Sequence, residues 1–436
     1  MFRRRDRRHD RKRRGSRRAR PTPAVTRTDL FDDLDPTSVR ELKAGLAGRV
    51  ARQAGALREE RVILYAGANI LSPDLAAAFD PAISLMPAMG PLEDKEQPGS
   101  DFVASLEALA ARLARQVFRA EWADCRLPSC TIANLAAFLC FASRGDRVLA
   151  PAPSDGGHLS QRRGGTPSVL GLVVDDLPFD RDRQRLDSEA AAAQIRRTAP
   201  ALVVLGRSVI LGPDDLEPVV AACRETGALS LYDASHVAGL IAGGVFPNPL
   251  DAGVDLMTTS TYKTLAGPTG AIVLGRSADH GARFSMFADG ALLANQDAAR
   301  FAPLCGVLAE FAESGAYAAL TIDLADRLKR AITEAGLPVL LPNLPAETHQ
   351  VVVPVGDLDA TRSVMAELEA ANVLVGRCPV PGSPGQHGLR FGSQLVARQW
   401  FTEPTREFAS PVVRADGASP LSRGLLSAIG TFLSRP

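Results

Sequence analysis

The chain is short of the features that would place it in several large protein classes. Aromatic residues are 5% of its 436 residues, and no apolar run approaches the ~18 residues that a membrane span requires. The basic N-terminus has no apolar stretch after it, so it does not read as a signal peptide. Six cysteines, Cys125, Cys130, Cys140, Cys223, Cys305 and Cys378, are scattered with no CxxC pair. They read as free, buried thiols in a reducing cytoplasm, not as disulfide staples, and no His/Cys cluster has metal-ligand spacing. Lysine is scarce: only Lys12, Lys43, Lys95, Lys263 and Lys329 occur.

What is present is a soluble globular balance, 46% hydrophobic and 23% charged, in a chain long enough for two or three coupled domains. The net charge of +1 conceals a basic tail. Residues 1–20 carry eleven Arg and one Lys against Asp6 and Asp10. Residues 1–28 therefore read as a disordered extension, with nucleic-acid or anionic-lipid contact the weaker alternative. Residues 29–65 form an N-terminal helical arm, with Leu42, Leu46 and Val50 at helical spacing over 36–60.

From residue 100 the pattern alternates. A helix starting near Asp101 carries Phe102, Leu106, Leu109, Leu113 and Val117 on one face, and a very apolar helix spans 131–143. Apolar strands follow at Arg147–Ala150, Ser168–Val174, Ala201–Leu205, Leu229–Tyr232, Leu256–Ser260 and Ala271–Leu274, with helical stretches at 187–198 and 214–226. Strands apolar on both faces and separated by helices predict an α/β fold with a mostly parallel sheet, in a large domain over 66–290. Helices at 297–313, 317–336 and 359–371 and strands at Gln350–Val355, Val373–Val375 and Leu389–Phe391 predict a smaller α+β domain over 291–436.

Ligands of open parallel sheets sit at the carboxyl ends of the strands. Three consecutive strands end there in Gly206-Arg207-Ser208, Asp233-Ala-Ser-His236 and Thr261-Tyr262-Lys263-Thr264. A lysine amine with a lowered pKa forms an imine with an aldehyde cofactor. An aspartate on the neighbouring strand keeps a pyridine nitrogen protonated, which makes the ring a better electron sink. Ser129-Cys130-Thr131, at the start of the apolar helix, offer hydroxyls and amides to a phosphate. A lone lysine or aspartate is more often a solvated charge or a turn residue; the three together favour function.

These segments resemble serine hydroxymethyltransferases. The stretch Asp233-Ala-Ser-His-Val-Ala-Gly-Leu-Ile-Ala-Gly-Gly-Val-Phe-Pro-Asn-Pro249 is similar to that family's DxAHxAGLxAxGxxPxP segment, and Thr258–Gly270 to its TTTHKTLRGPRG cofactor-lysine motif. Ser154-Asp-Gly-Gly-His-Leu159 resembles HGGHL, and Gly388-Leu-Arg-Phe-Gly-Ser393 resembles GxRxGT. The resemblance runs from about residue 60 to 400 with the motifs in order. It implies the aspartate-aminotransferase-like fold (fold type I), pyridoxal 5'-phosphate (PLP), an amino-acid substrate and a homodimer with shared active sites.

By this resemblance Lys263 is the Schiff-base lysine and Asp233 the partner of the pyridine nitrogen. His236 and Ser208 lie at the phenolic oxygen of the cofactor. Ser129, Cys130 and Thr131 hold the phosphate, with Gly270 contributed by the partner subunit. Asp155 stands where a histidine stacks on the ring, and Tyr262 replaces the histidine before the lysine, a candidate catalytic group. Arg390 clamps the substrate carboxylate with Asn69 beside it.

Departures point to a divergent member. The family's YxEGYPGxRYYGG loop corresponds to Pro87–Gly99, where both loop tyrosines are gone and Met89 replaces a glutamate; Glu93 is an alternative acid. The SEN motif reads Gly67-Ala68-Asn69. The expected reaction makes or breaks the Cα–Cβ bond of a β-hydroxy-amino acid, with tetrahydrofolate in doubt and a folate-independent aldolase or transaldolase favoured. The alternatives are an ordinary folate-dependent enzyme of one-carbon metabolism and a non-catalytic relative.

Overall fold

The computed structural model describes residues 37–408 and 418–434. The expected basic tail and linker, and the first residues of the helical arm, lie outside them. The chain divides into two compact units, Met1–Arg58 and Glu59–Pro436. The described part of the first unit is a helix, α1 (Val39–Gly55), with no buried residue. The expected 36–60 helix is thus α1 followed by a π turn over Ala56–Glu60.

The second unit is built on a seven-stranded sheet. In chain order its strands are β1 (Trp122–Asp124), β2 (Arg147–Ala150), β3 (Val173–Asp176), β4 (Leu202–Leu205), β5 (Leu229–Asp233), β6 (Leu256–Ser260) and β7 (Ala271–Gly275). Their spatial order is β1-β7-β6-β5-β4-β2-β3. β3, β2, β4, β5 and β6 pair in parallel, and β7 is antiparallel to both its neighbours. The period of two is visible in the packing: Val148, Ala150, Leu202, Val204 and Leu231 enter one cluster, while Leu149, Val203, Leu205 and Tyr232 enter the other. Both faces are apolar because both are covered by helices.

Helix α2 (Asp101–Phe118) forms where expected but buries a different face. Val103, Glu107, Ala110, Ala114 and Val117 are buried and Phe102 is exposed, while Leu106, Leu109 and Leu113 flank the contact half-buried. The alanines let the helix approach closely. Glu107 can be buried because the Lys95 ammonium lies 2.9 Å away and Arg126 3.6 Å away. Helix α3 (Cys130–Phe141) is capped by Ser129, whose hydroxyl accepts from the Ile132 amide at 3.3 Å.

The expected strand Ser168–Val174 is a correction. Thr166–Val169 form a helical turn, with Pro167 in its first turn, and the strand begins only at Val173. Gly171, at φ +78°, breaks the chain between them.

A second, three-stranded antiparallel sheet contains β8 (Gln350–Gly356), β9 (Gly376–Pro379) and β10 (His387–Gly392), with β10 in the middle. Val62–Ile63, placed by the sequence at the end of the helical arm, instead form a short strand that pairs in parallel with Val373–Leu374. No helix among the described residues is long and apolar enough to cross a membrane.

Candidate active site

The carboxyl ends of β4, β5 and β6 open into one cavity. It is lined by Lys263, Asp233, His236, Tyr262, Ser208 and the Ser129-Cys130-Thr131 turn, all expected from sequence. Lys263 Nζ lies 3.3 Å from His236 Nε2. The cavity is completed by His158, Ser160, Gln161, Arg207 and Ser235, which sequence reasoning did not single out.

Asp233 is the most constrained group. One carboxylate oxygen accepts from Asn134 Nδ2 and Gln161 Nε2, each at 2.8 Å; the other accepts from the Ser235 amide at 3.0 Å and lies 3.6 Å from Cys130 Sγ. Asn134 is itself fixed, since its Oδ1 accepts from Thr258 Oγ1 at 2.6 Å. Burial pulls the Asp233 pKa up. The Lys263 ammonium and the hydrogen bonds from Ser235, Gln161 and Asn134 outweigh that, so it ends below the ordinary carboxylate value. It stays ionised, which a protonated ring nitrogen requires of its partner.

Lys263 shifts the other way from a free amine. Burial lowers its pKa, Asp233 opposes this, and Arg390 adds to it. A larger neutral fraction makes the amine a better nucleophile. Burial also holds His236 well below the usual histidine value, with the Lys263 and Arg390 charges adding to the effect. His236 Nδ1 is buried without a protein partner.

Residues of the second sheet and the loop before it pack against Ser208 and His236. Arg390, in β10, is buried and donates through Nη1 to the Ser208 carbonyl at 2.5 Å, and its Nε has no protein partner. Gln350 donates to the same carbonyl at 3.1 Å and accepts from the Ile210 amide at 3.2 Å. His349, fully buried, stacks on His236 with centroids 5.7 Å apart and 12° between planes. Burial pushes its pKa to about 3, so it is a neutral ring at all working pH values.

Three expected residues sit elsewhere within this chain. Asp155 ends a tight turn over Pro153–Asp155, accepts from the Gly382 amide at 3.2 Å, and lines a separate small cavity. The loop doubles back at Gly156 (φ +89°) and Gly157, where a Cβ would sit 2.2 Å from the Pro151 carbonyl, and this brings His158 to the Lys263 cavity instead. Asn69 donates both amide protons, to the Lys263 carbonyl at 2.6 Å and to Tyr317 Oη at 2.7 Å, and so braces the lysine backbone. Gly270 is buried against Arg300 and does not line the cavity. Glu93 lines another cavity, with Glu107, Asp124 and Arg126.

One signal for the missed partners was present in the sequence. Asn134 is the one amide in the otherwise apolar α3, and a buried amide must find partners. Gln161, His349 and Gln350 carried no comparable local mark.

The residues fit PLP. An ionised, fully bonded carboxylate faces the lysine across the cavity. His236 offers an unpartnered nitrogen, and the helix start at Cys130-Thr131 presents first-turn amides for a phosphate.

Residues 49–285 match the family model described as serine hydroxymethyltransferase. Alpha-methylserine aldolase of Ralstonia sp is 33% identical over 356 residues, 78% of this chain and 81% of that protein. Serine hydroxymethyltransferase of Methanothermobacter thermautotrophicus is 34% identical over 352 residues, 79% and 83% respectively. The solved structure of L-threonine transaldolase from Pseudomonas fluorescens has a TM-score of 0.75 at 24% identity and covers 91% of this chain and 94% of that one.

Proposed function

Because the chain belongs to the serine hydroxymethyltransferase family, as a PLP-dependent enzyme that makes or breaks a Cα–Cβ bond, we propose that it is a folate-independent aldolase or transaldolase acting on β-hydroxy-amino acids. The observation that carries the cofactor chemistry is the shared cavity of Lys263, Asp233 and His236. Bound there, PLP supplies an electron sink for the electron pair left at Cα when the Cα–Cβ bond breaks.

The chain's own residues divide the work. Lys263, with its amine pKa depressed, would hold the aldehyde of the cofactor. Asp233 stays charged opposite the ring nitrogen. His236 and Ser208 hold the phenolic oxygen, and Ser129, Cys130 and Thr131 the phosphate. Arg390 offers its unpartnered edge to the α-carboxylate. Tyr262 places a phenol beside the lysine for proton transfer at the β-hydroxyl. Asn69 positions Lys263, and His158, which lines the cavity where Asp155 does not, would take the role that the sequence pattern gave to Asp155. Gly270 serves the cavity of a second subunit in a cytoplasmic homodimer.

Folate independence rests on the Pro87–Gly99 loop. Met89, in place of a carboxylate, does no acid–base work. The loop closes on itself, Met89 accepting from the Glu96 amide at 3.1 Å and donating its own amide to Gln97 at 2.7 Å. Lys95 pins it to Glu107, and Glu93 lies with that ion cluster. The relatives named alpha-methylserine aldolase support this reading, and comparable identity to archaeal serine hydroxymethyltransferases keeps the folate-dependent one in view.

The test measures aldehyde release from serine, threonine and α-methylserine with and without tetrahydrofolate. The expected result is release at the same rate in both. Release from serine that requires tetrahydrofolate would restore the ordinary hydroxymethyltransferase.

A further inference from the structure

Cys130 enters the account above only through the first turn of α3, yet its side chain meets a different group. Sγ lies 3.6 Å from a carboxylate oxygen of Asp233, and both residues line the Lys263 cavity. Burial and the Asp233 charge hold the thiol well above its ordinary pKa. The sulfur therefore keeps its proton, and in this contact it is the donor.

An acceptor count gives the contact its meaning. A carboxylate offers about four lone-pair positions, about two on each oxygen. One Asp233 oxygen takes Asn134 Nδ2 and Gln161 Nε2, each at 2.8 Å; the other takes the Ser235 amide at 3.0 Å and the Cys130 thiol. The carboxylate is saturated by the protein alone. A protonated ring nitrogen that pairs with Asp233 must take over a position that one of these donors holds. The four are not equally replaceable. Asn134 and Gln161 are 0% and 1% exposed, and the Ser235 N–H belongs to the turn that leaves β5. Any of these N–H groups, once displaced, would be a buried donor without an acceptor. A thiol is a weak donor and otherwise a small apolar group, so it loses little when unpaired. The sulfur is the donor that yields.

We propose that the Cys130 thiol is a displaceable hydrogen-bond donor, which fixes the Asp233 carboxylate in the cofactor-free protein and yields its oxygen to the ring N–H of the cofactor on binding. Cys130 is in this sense a positioning residue that acts through Asp233. The inference rests on the reading of the cavity as a PLP site. Its sign is distinctive: removing the thiol should strengthen cofactor binding, because the ring nitrogen then meets an oxygen with a free lone pair. The net strength of one hydrogen bond sets the gain at about twofold to tenfold.

The experiment uses the full-length protein, cofactor-free and PLP-loaded, and its Cys130→Ala variant. Infrared difference spectra follow the S–H stretch, which lies lower in frequency for a thiol that donates to a carboxylate than for an unpaired one. Cys130 is the one cysteine among the residues that line the cavity. The expected result is a band that shifts up on loading and is missing from Cys130→Ala. PLP titration of the cofactor-free proteins should show binding about twofold to tenfold tighter in Cys130→Ala, and no effect of the same substitution in an Asp233→Ala background. A thiol that only fills space would leave binding unchanged or weaker when removed, and its S–H band unmoved by loading. Either result, or a Cys130 effect that persists without Asp233, overturns the assignment. Should Cys130→Ala not fold, the wild-type difference spectrum decides on its own. A wild type that binds no PLP overturns the site reading itself. A wild type that binds PLP with an unmoved S–H band overturns only the role of Cys130.

Discussion

Replacing Asp233 with asparagine tests the site at its most constrained atom. The wild-type carboxylate accepts three hydrogen bonds from N–H groups, of Asn134, Gln161 and the Ser235 amide, and a weak one from the Cys130 thiol, and donates none. An asparagine has one oxygen and one NH2. Turned so that the oxygen meets Asn134 and Gln161, it sets its NH2 against the Ser235 N–H. Turned the other way, it sets the NH2 against two side-chain amides. The first orientation wins, leaving the Ser235 N–H without an acceptor and the new NH2 with only the Cys130 sulfur beside it, a cost of about 1–3 kcal/mol for each stranded donor. Removal of the charge also withdraws the group that raises the Lys263 pKa, so burial drives that amine lower still.

The assays are urea unfolding of the cofactor-free proteins and the pH dependence of PLP loading. Asp233 has a depressed pKa in the fold. The stability that its ionisation contributes is therefore present above the unfolded carboxylate value of 3.8 and is lost as pH falls through the lower, folded value. The stability gap between wild type and variant should be full near pH 7 and should narrow in acid. Loading, which needs the neutral amine, should move to lower pH in the variant. An unfolding gap near zero at pH 7, together with an unmoved loading profile, would refute the reasoning.

Two further outcomes follow from the packing. Gly206→Ala should destabilise the fold and reduce PLP content, because φ is +81° there and the new Cβ would lie 2.3 Å from the Asp233 carbonyl; thermal unfolding and cofactor absorbance report both. Glu107→Ala should cost about 3–5 kcal/mol in urea unfolding, since it strands the buried Lys95 ammonium and loosens the 87–99 loop.

The nucleus of the site was legible in the sequence because it is local. Each functional side chain follows an apolar strand directly, and short apolar runs alternating with helical stretches are marked by period and length alone. Lys263, Asp233, His236 and Ser208 could be named for that reason, as could the Ser129 cap. The partners of those groups were not legible in the same way. Gln161 and His349 are 72 and 113 residues from Asp233 and His236. Nothing in their own neighbourhoods distinguishes them from a loop amide and a strand-end histidine.

The sequence by itself determined the order of helices and strands, the strand-end chemistry and the family pattern. These depend on side-chain periodicity and on residues adjacent in the chain. Tertiary structure alone decided that α2 buries its alanine face, because depth of packing depends on what the helix meets. It alone decided that His158 and not Asp155 enters the cavity, because one left-handed glycine turns the loop over. It also paired Tyr65 with Phe391, since only the meeting of distant segments sets two residues 326 positions apart side by side.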